Sequence, residues 1–370
     1  MFRVAFASAG AYVAYPIVDN KIKFYCHDNP KNKEIIQNCP SLKDEIFQPT
    51  PWLSSGLLQS YYGCGATPEE KDCECNFERE LFTLKDGGTL GLDWARNGDK
   101  KILVVAPGLT GGSESIYVRN ITMIAAEQGY SVVVVHGRGL NGTPLTTPLP
   151  NCLGNTKDFA QAVEYIKNSY PDAQIVGVGF SMGANLLLKY LGETGENCPL
   201  KAGAAVSTPF DIVICSRYLR KPWPTSYIAD NFLVTTILDS LKPNIQVLEP
   251  LKELGVDLEE TLKSTRSWDY DSRITCKILG FQNPEQYYRQ VSCVNYLEKI
   301  KVPVLALSSL DDPVVTKDCI PYEEFKSNPN LILATTRAGG HIGWFTGVKA
   351  PQRWYSYPVV EFLETVLENN

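Results

Sequence analysis

The chain of 370 residues is predicted to be an α/β protein: a mainly parallel sheet with an antiparallel N-terminal hairpin and an inserted helical cap. Three observations lead there. Short, continuous apolar runs at 102–106, 132–135, 174–178, 202–206, 302–307 and 331–335 alternate with helix-prone stretches such as 158–168 and 184–191. Strands that are apolar throughout are buried on both faces, and helices between them demand right-handed crossovers, hence parallel pairing. Ahead of them, alternating runs at 80–84 and 89–94 flank Asp86-Gly87-Gly88, a hairpin signal that supplies the antiparallel edge. Lastly, about ninety residues separate the runs at 202–206 and 302–307, far beyond an ordinary connection, which assigns a cap to roughly 209–300.

Taken from its start, the chain opens with a small-apolar segment, 1–18, that carries Arg3 and no acidic residue. As a helix its apolar run would reach ~22 Å against a ~30 Å hydrocarbon core, so it is expected to touch a membrane surface or pack on the domain rather than span. Residues 19–78, rich in Pro, Asn, Lys and Cys, read as an irregular arm. The α/β domain itself is expected over 79–370. Within the cap, 229–241 has apolar residues at helical spacing. Trp223, Trp268, Tyr287 and Tyr288 form either the cap's own core or an apolar acyl pocket between cap and sheet. A last helix over 359–367, opened by Pro358, should cover one sheet face.

A net charge of −6 and scattered basic residues exclude a nucleic-acid face, which needs clustered Lys and Arg. Eleven cysteines without even pairing or repeated spacing read as reduced thiols in an intracellular compartment, membrane-associated or organellar. Cys64, Cys73 and Cys75 lack the facing pair that a zinc site requires. The sequons at Asn120 and Asn141 lie close to expected buried strands and say little about secretion.

The chemistry gathers around Gly179-Phe180-Ser181-Met182-Gly183, directly after an apolar strand and directly before a helix. G-x-S-x-G in that setting is a turn too sharp for neighbouring Cβ atoms, and it presents the Ser181 hydroxyl above the sheet edge. A serine attacks only when a base takes its proton. Of the three histidines, His27 lies in the arm without a motif and His136 precedes the serine, whereas His341, in Gly339-Gly340-His341, follows the last strand. His341 is therefore the expected base. Asp311-Asp312 follows the preceding strand and completes the chain order Ser, Asp, His; Asp312 is favoured by its offset from Pro303, with Asp311 second. A tetrahedral oxyanion needs two amide donors, assigned to Met182 and to Leu109 in Pro107-Gly108-Leu109-Thr110-Gly111-Gly112. Read as a phosphate loop, that stretch lacks the Gly-Lys-Ser/Thr ending.

Together with Asp93-Trp94, Tyr117, Arg138-Gly139 and Tyr287-Tyr288, these motifs resemble the YheT-like branch of the α/β-hydrolases, over roughly 50–350. Its eukaryotic members include membrane-associated lipases and phospholipases. The branch commonly has Asn where His136 stands, and its eukaryotic members often carry a longer N-terminal membrane helix. The resemblance implies an α/β-hydrolase fold with a helical cap, a Ser181, Asp312 (or Asp311), His341 triad, serine-esterase chemistry on acylglycerol, phospholipid or smaller acyl esters, and no metal or organic cofactor. Rival expectations are an acyltransferase using the same triad and a non-catalytic subunit of a larger assembly that keeps the fold.

Overall fold

The computed structural model describes residues 2–6, 12–16, 21–65 and 75–369, with side chains from 21 onward. The first segment forms two short strands, β1 (Phe2–Phe6) and β2 (Tyr12–Pro16), paired antiparallel. Cys73 lies outside the described residues.

The body is a nine-stranded sheet built from β3 (Lys23–Cys26), β4 (Glu78–Thr83), β5 (Thr89–Ala95), β6 (Lys101–Ala106), β7 (Ser131–His136), β8 (Gln174–Phe180), β9 (Gly203–Val206), β10 (Val304–Ser309) and β11 (Leu331–Thr336). Across the sheet the order is β3-β11-β10-β9-β8-β6-β7-β5-β4. The six central strands are parallel, and β4 with β5 forms the antiparallel hairpin around Asp86-Gly87-Gly88. The strand expected at 302–307 runs two residues later, because Pro303 has no N–H to give the ladder and serves only through its carbonyl, which accepts from Gly203 at 3.0 Å.

Alternation along each strand feeds two cores. On one face, Leu103, Val105, Val176 and Val178 pack against the helices Ile116–Glu127 and Ser356–Glu368. On the other, Ile102, Val104 and Ile175 meet the helices Thr156–Ser169 and Met182–Thr194. Both faces are covered, which is why these strands read as unbroken apolar runs.

The arm differs from the irregular segment expected. It adds β3 to the sheet edge, antiparallel to β11, and forms the helices Pro30–Asn38 and Gly56–Gly63. Its short runs are stabilised by tertiary packing and not by their own periodicity, so the sequence pattern did not betray them. Ile35, Ile36, Leu42 and Phe47 sink into the same core as the C-terminal helix.

Between β9 and β10 every regular element is helical, with the longest helix at Pro224–Leu241. Val234, Leu238, Leu241, Leu248, Leu251 and Ile274 give this region a core of its own. No helix among the described residues is long and apolar enough to cross a membrane.

Candidate active site

Ser181 sits between β8 and the helix Met182–Thr194 with φ +50° and ψ −117°, a conformation disfavoured for any residue with a Cβ. The flanking glycines explain how the turn is held. A Cβ on Gly183 would stand 2.0 Å from the carbonyl oxygen of Ala106, and one on Gly179 would stand 2.5 Å from that of Gly183. Only bare backbone fits. Ser181 is further fixed by its N–H donating to Val206 O at 2.8 Å and its C=O accepting from Ala184 N at 3.0 Å.

His341 Nε2 lies 3.0 Å from Ser181 Oγ, and His341 Nδ1 lies 2.8 Å from Asp312 Oδ2. A carboxylate only accepts, so Nδ1 carries the proton and the Nε2 lone pair faces the serine hydroxyl. The second Asp312 oxygen, Oδ1, is saturated by the N–H groups of Val314 and Val315, both at 2.8 Å. The neighbouring carboxylate points elsewhere. Asp311 Oδ1 accepts from Ser309 Oγ at 2.5 Å and from Gly340 N at 2.9 Å, gripping the histidine loop, and its burial pushes its pKa above the ordinary carboxylate value.

The other two histidines stay away from Ser181. His27 is exposed near Asn29. His136 is buried at the end of β7 with Nε2 2.9 Å from Asp93 Oδ2, in a cluster where Ser113 Oγ also donates to Asp93 at 2.5 Å.

Leu109 and Met182 border the same cavity as Ser181, and among the described residues their amides donate to no protein acceptor. The loop carrying Leu109 is shaped from below. Gly108 N donates to Tyr117 Oη at 2.9 Å, Gly112 N to Ser115 Oγ at 3.0 Å, and Asn141 Nδ2 to Gly111 O at 2.8 Å. With those bonds made elsewhere, the Leu109 and Met182 amides are left without a protein acceptor among the described residues.

Sequence reasoning missed one group of supports, on the arm helix Gly56–Gly63. Ser60 Oγ accepts from His341 N at 2.7 Å and donates to Gly56 O at 2.7 Å, while Gln59 Oε1 accepts from Phe345 N at 2.7 Å. Gly56 itself lies so close to the acid loop that a Cβ there would stand 1.9 Å from Asp311 O. A glycine opening a helix directly after the Ser55 cap was the available clue, since helices rarely spend glycine without a packing reason.

Above Ser181 opens a cavity walled by cap residues that include Ile212, Leu219, Leu233, Ile237 and Leu241. The aromatics divide. Tyr288 borders the cavity, Tyr287 is buried with its hydroxyl donated to Leu153 O at 2.9 Å, Trp268 packs on Tyr288, and Trp223 is exposed. One charged group interrupts the upper wall. Asp271, on a π-helical turn spanning Asp271–Thr275, is buried, forms no ion pair among the described residues and accepts from Tyr288 Oη at 2.6 Å; burial raises its pKa to about 6.

Residues 101–348 match the family model described as alpha/beta hydrolase fold. The chain belongs to that family. The human protein named "Phospholipase ABHD3" is 32% identical over 342 residues, covering 90% of this chain and 81% of its own length. The "Monoacylglycerol lipase" of Saccharomyces cerevisiae is 32% identical over 267 residues, 72% of this chain and 59% of its own. A solved Pyrococcus furiosus esterase, Pf2001, shares the fold with a TM-score of 0.51 at 20% identity, over 81% of this chain and 96% of that one.

Two outcomes follow from this geometry. Ser60→Ala leaves the half-buried His341 N–H without its acceptor, a loss of about 1–3 kcal/mol. Melting should drop and kcat on a soluble ester fall about ten-fold, with Ser60→Thr, which keeps the hydroxyl, restoring both. Asp271 gives a pH signature. Its folded pKa lies above its unfolded one, so the folded state holds the extra proton and stability falls as pH rises from about 4 to about 6. At ~1.4 kcal/mol per unit this amounts to about 3 kcal/mol. Denaturant unfolding should find Asp271→Asn more stable than the parent at pH 8, with the gap closing towards pH 4.

Proposed function

We propose that this chain is a serine hydrolase that cleaves carboxylic esters of acylglycerols or phospholipids through an acyl-enzyme. The observation that carries the reading is the unbroken path from the Ser181 hydroxyl through the His341 ring to the Asp312 carboxylate, 3.0 and 2.8 Å. Sequence relatives named phospholipase and monoacylglycerol lipase support the choice of a lipid ester, and so does the apolar wall of the cavity.

In this reading Ser181 Oγ attacks the ester carbonyl while His341 Nε2 takes its proton, and Asp312 stabilises the imidazolium that results. Negative charge on the former carbonyl oxygen is met by the amides of Leu109 and Met182. Collapse of the tetrahedral species breaks the C–O bond, and His341 returns the proton to the departing alcohol. Water then attacks the acyl-serine, giving up a proton to His341 that is passed back to Ser181 as the fatty acid leaves. Asp311 has a different part. By holding Gly340 it sets the height of the imidazole.

Ser181→Ala and His341→Ala are each expected to lose at least about 10³-fold in kcat/KM, and Asp312→Asn about 10²- to 10⁴-fold through the wrong imidazole tautomer. Fluorophosphonate labelling, followed by hydrolysis of monoacylglycerol and phospholipid emulsions, checks this. Undiminished labelling and turnover in Ser181→Ala would sink the reading. Asp311→Asn should cost less activity than Asp312→Asn.

A further inference from the structure

The cap helix Pro224–Leu241 carries large apolar side chains on more than one side, and only part of them is covered. Leu233, Ile237 and Leu241 face the cavity above Ser181, and Val234 and Leu238 enter the cap core. The remaining side is open. Trp223 is 64% exposed, Tyr227 45%, Ile228 66% and Phe232 60%. Ile228 and Ile237 are nine residues apart, which at 3.6 residues per turn puts them on opposite sides of the axis, about 180° from each other. One helix therefore separates the exposed apolar face from the substrate cavity.

Charge at the N-terminal end of this face is basic. Arg217, Arg220 and Lys221 are exposed just before the helix, and the nearest acidic residue of the helix, Asp230, is fully buried and accepts from the backbone and hydroxyl of Ser267; exposed Asp239, near the other end, is paired with Lys242 at 2.7 Å. Arg217 is shared with Glu285 of a neighbouring helix, while Arg220 lies flat over Trp268, its Cζ 3.9 Å from the ring centroid, and Lys221 over Tyr218. In a chain of net charge −6, a basic rim around exposed Trp, Tyr, Ile and Phe selects an anionic and apolar partner. A bilayer presents both, phosphates above and acyl chains below, with Trp and Tyr suited to the boundary.

We propose that the outer face of the cap helix, Trp223, Tyr227, Ile228 and Phe232 with the Arg217, Arg220 and Lys221 rim, docks on the surface of an anionic lipid bilayer and sets the cavity against the membrane from which its substrate comes. This deepens the lipid-ester reading and rests on it. Docking of Ile228 and Phe232 places the cavity wall formed by Leu233 and Ile237 one helix diameter, about 10 Å, from the acyl layer.

The test uses the full chain and vesicles of phosphatidylcholine with and without phosphatidylglycerol. In flotation the parent should bind, more tightly with phosphatidylglycerol and less at high salt. Ile228→Glu/Phe232→Glu should lose at least ten-fold in binding and in hydrolysis of lipid presented in vesicles, while turnover of soluble p-nitrophenyl butyrate stays within two-fold. Arg220→Ala/Lys221→Ala should remove the preference for phosphatidylglycerol. Vesicle binding unchanged in the Glu variant, no binding by the parent, or binding that disappears only when residues 1–18 are deleted would each overturn the proposal. So would a parent dimer that the Glu substitutions turn into a monomer, because the face would then belong to a second copy. The lipid-ester reading fails separately: a protein that floats through this face but hydrolyses no lipid ester contradicts the reading and keeps the surface.

Discussion

The contact on which the site depends is backbone against backbone: Gly183 pressed on the carbonyls of Ala106 and Pro107. Pairing of β6 with β8, with Ala106 opposite Gly179, brings the ends of these two strands side by side. The start of the helix after Ser181 is thereby locked to the loop that carries Leu109. Left-handed geometry at a serine costs on the order of 1–3 kcal/mol and survives only where the surroundings impose it. Here the imposition comes from strand pairing, two glycines and the Ser181 N–H bond to Val206, so the hydroxyl and both free amides are fixed by one piece of sheet.

The second requirement is a histidine held at the right height, and adjacent aspartates divide that work by pointing apart. Asp312 has one oxygen saturated by two amides and one left for Nδ1, which fixes its direction as well as its charge. Asp311 turns to Gly340, one residue before the base. Ser60 then takes the N–H of His341 itself from the far side. The loop is gripped from the acid turn and from the N-terminal arm, so the arm is part of the site's mechanical support even though it lies far from the serine in sequence.

Much of this was legible because its causes are local. Double-sided burial writes itself as continuous apolar runs, and a turn too tight for Cβ atoms demands the two glycines around Ser181. The base could be found by elimination among three histidines. What could not be read was long-range or rotameric. The offset from Pro303 favoured Asp312, but the separate task of Asp311, turned to Gly340, depends on side-chain torsions that no spacing encodes. The helix Gly56–Gly63 has weak apolar periodicity, and Ser60 meets a partner 281 residues away. The aromatic cap residues carried no label for direction, and they separate into cavity wall, core and open surface only once the helices are packed.

The cap settles how the chemistry is insulated. Ser181 and His341 are partly covered, Asp312 almost wholly, and the wall above them is mainly apolar. In the proposed mechanism such surroundings would make the attraction between imidazolium and carboxylate stronger than in water, and the fixed amides at Leu109 and Met182 would not need to reorganise as charge develops. Arg138, Asn244 and Asp271 interrupt the apolar lining. Asp271 is a buried carboxyl with no ion-pair partner among the described residues. Its bond from Tyr288 ties the π-helical turn to the aromatic pair that closes the cap, so the same residue that weakens the fold above pH 6 fixes the shape of the chamber.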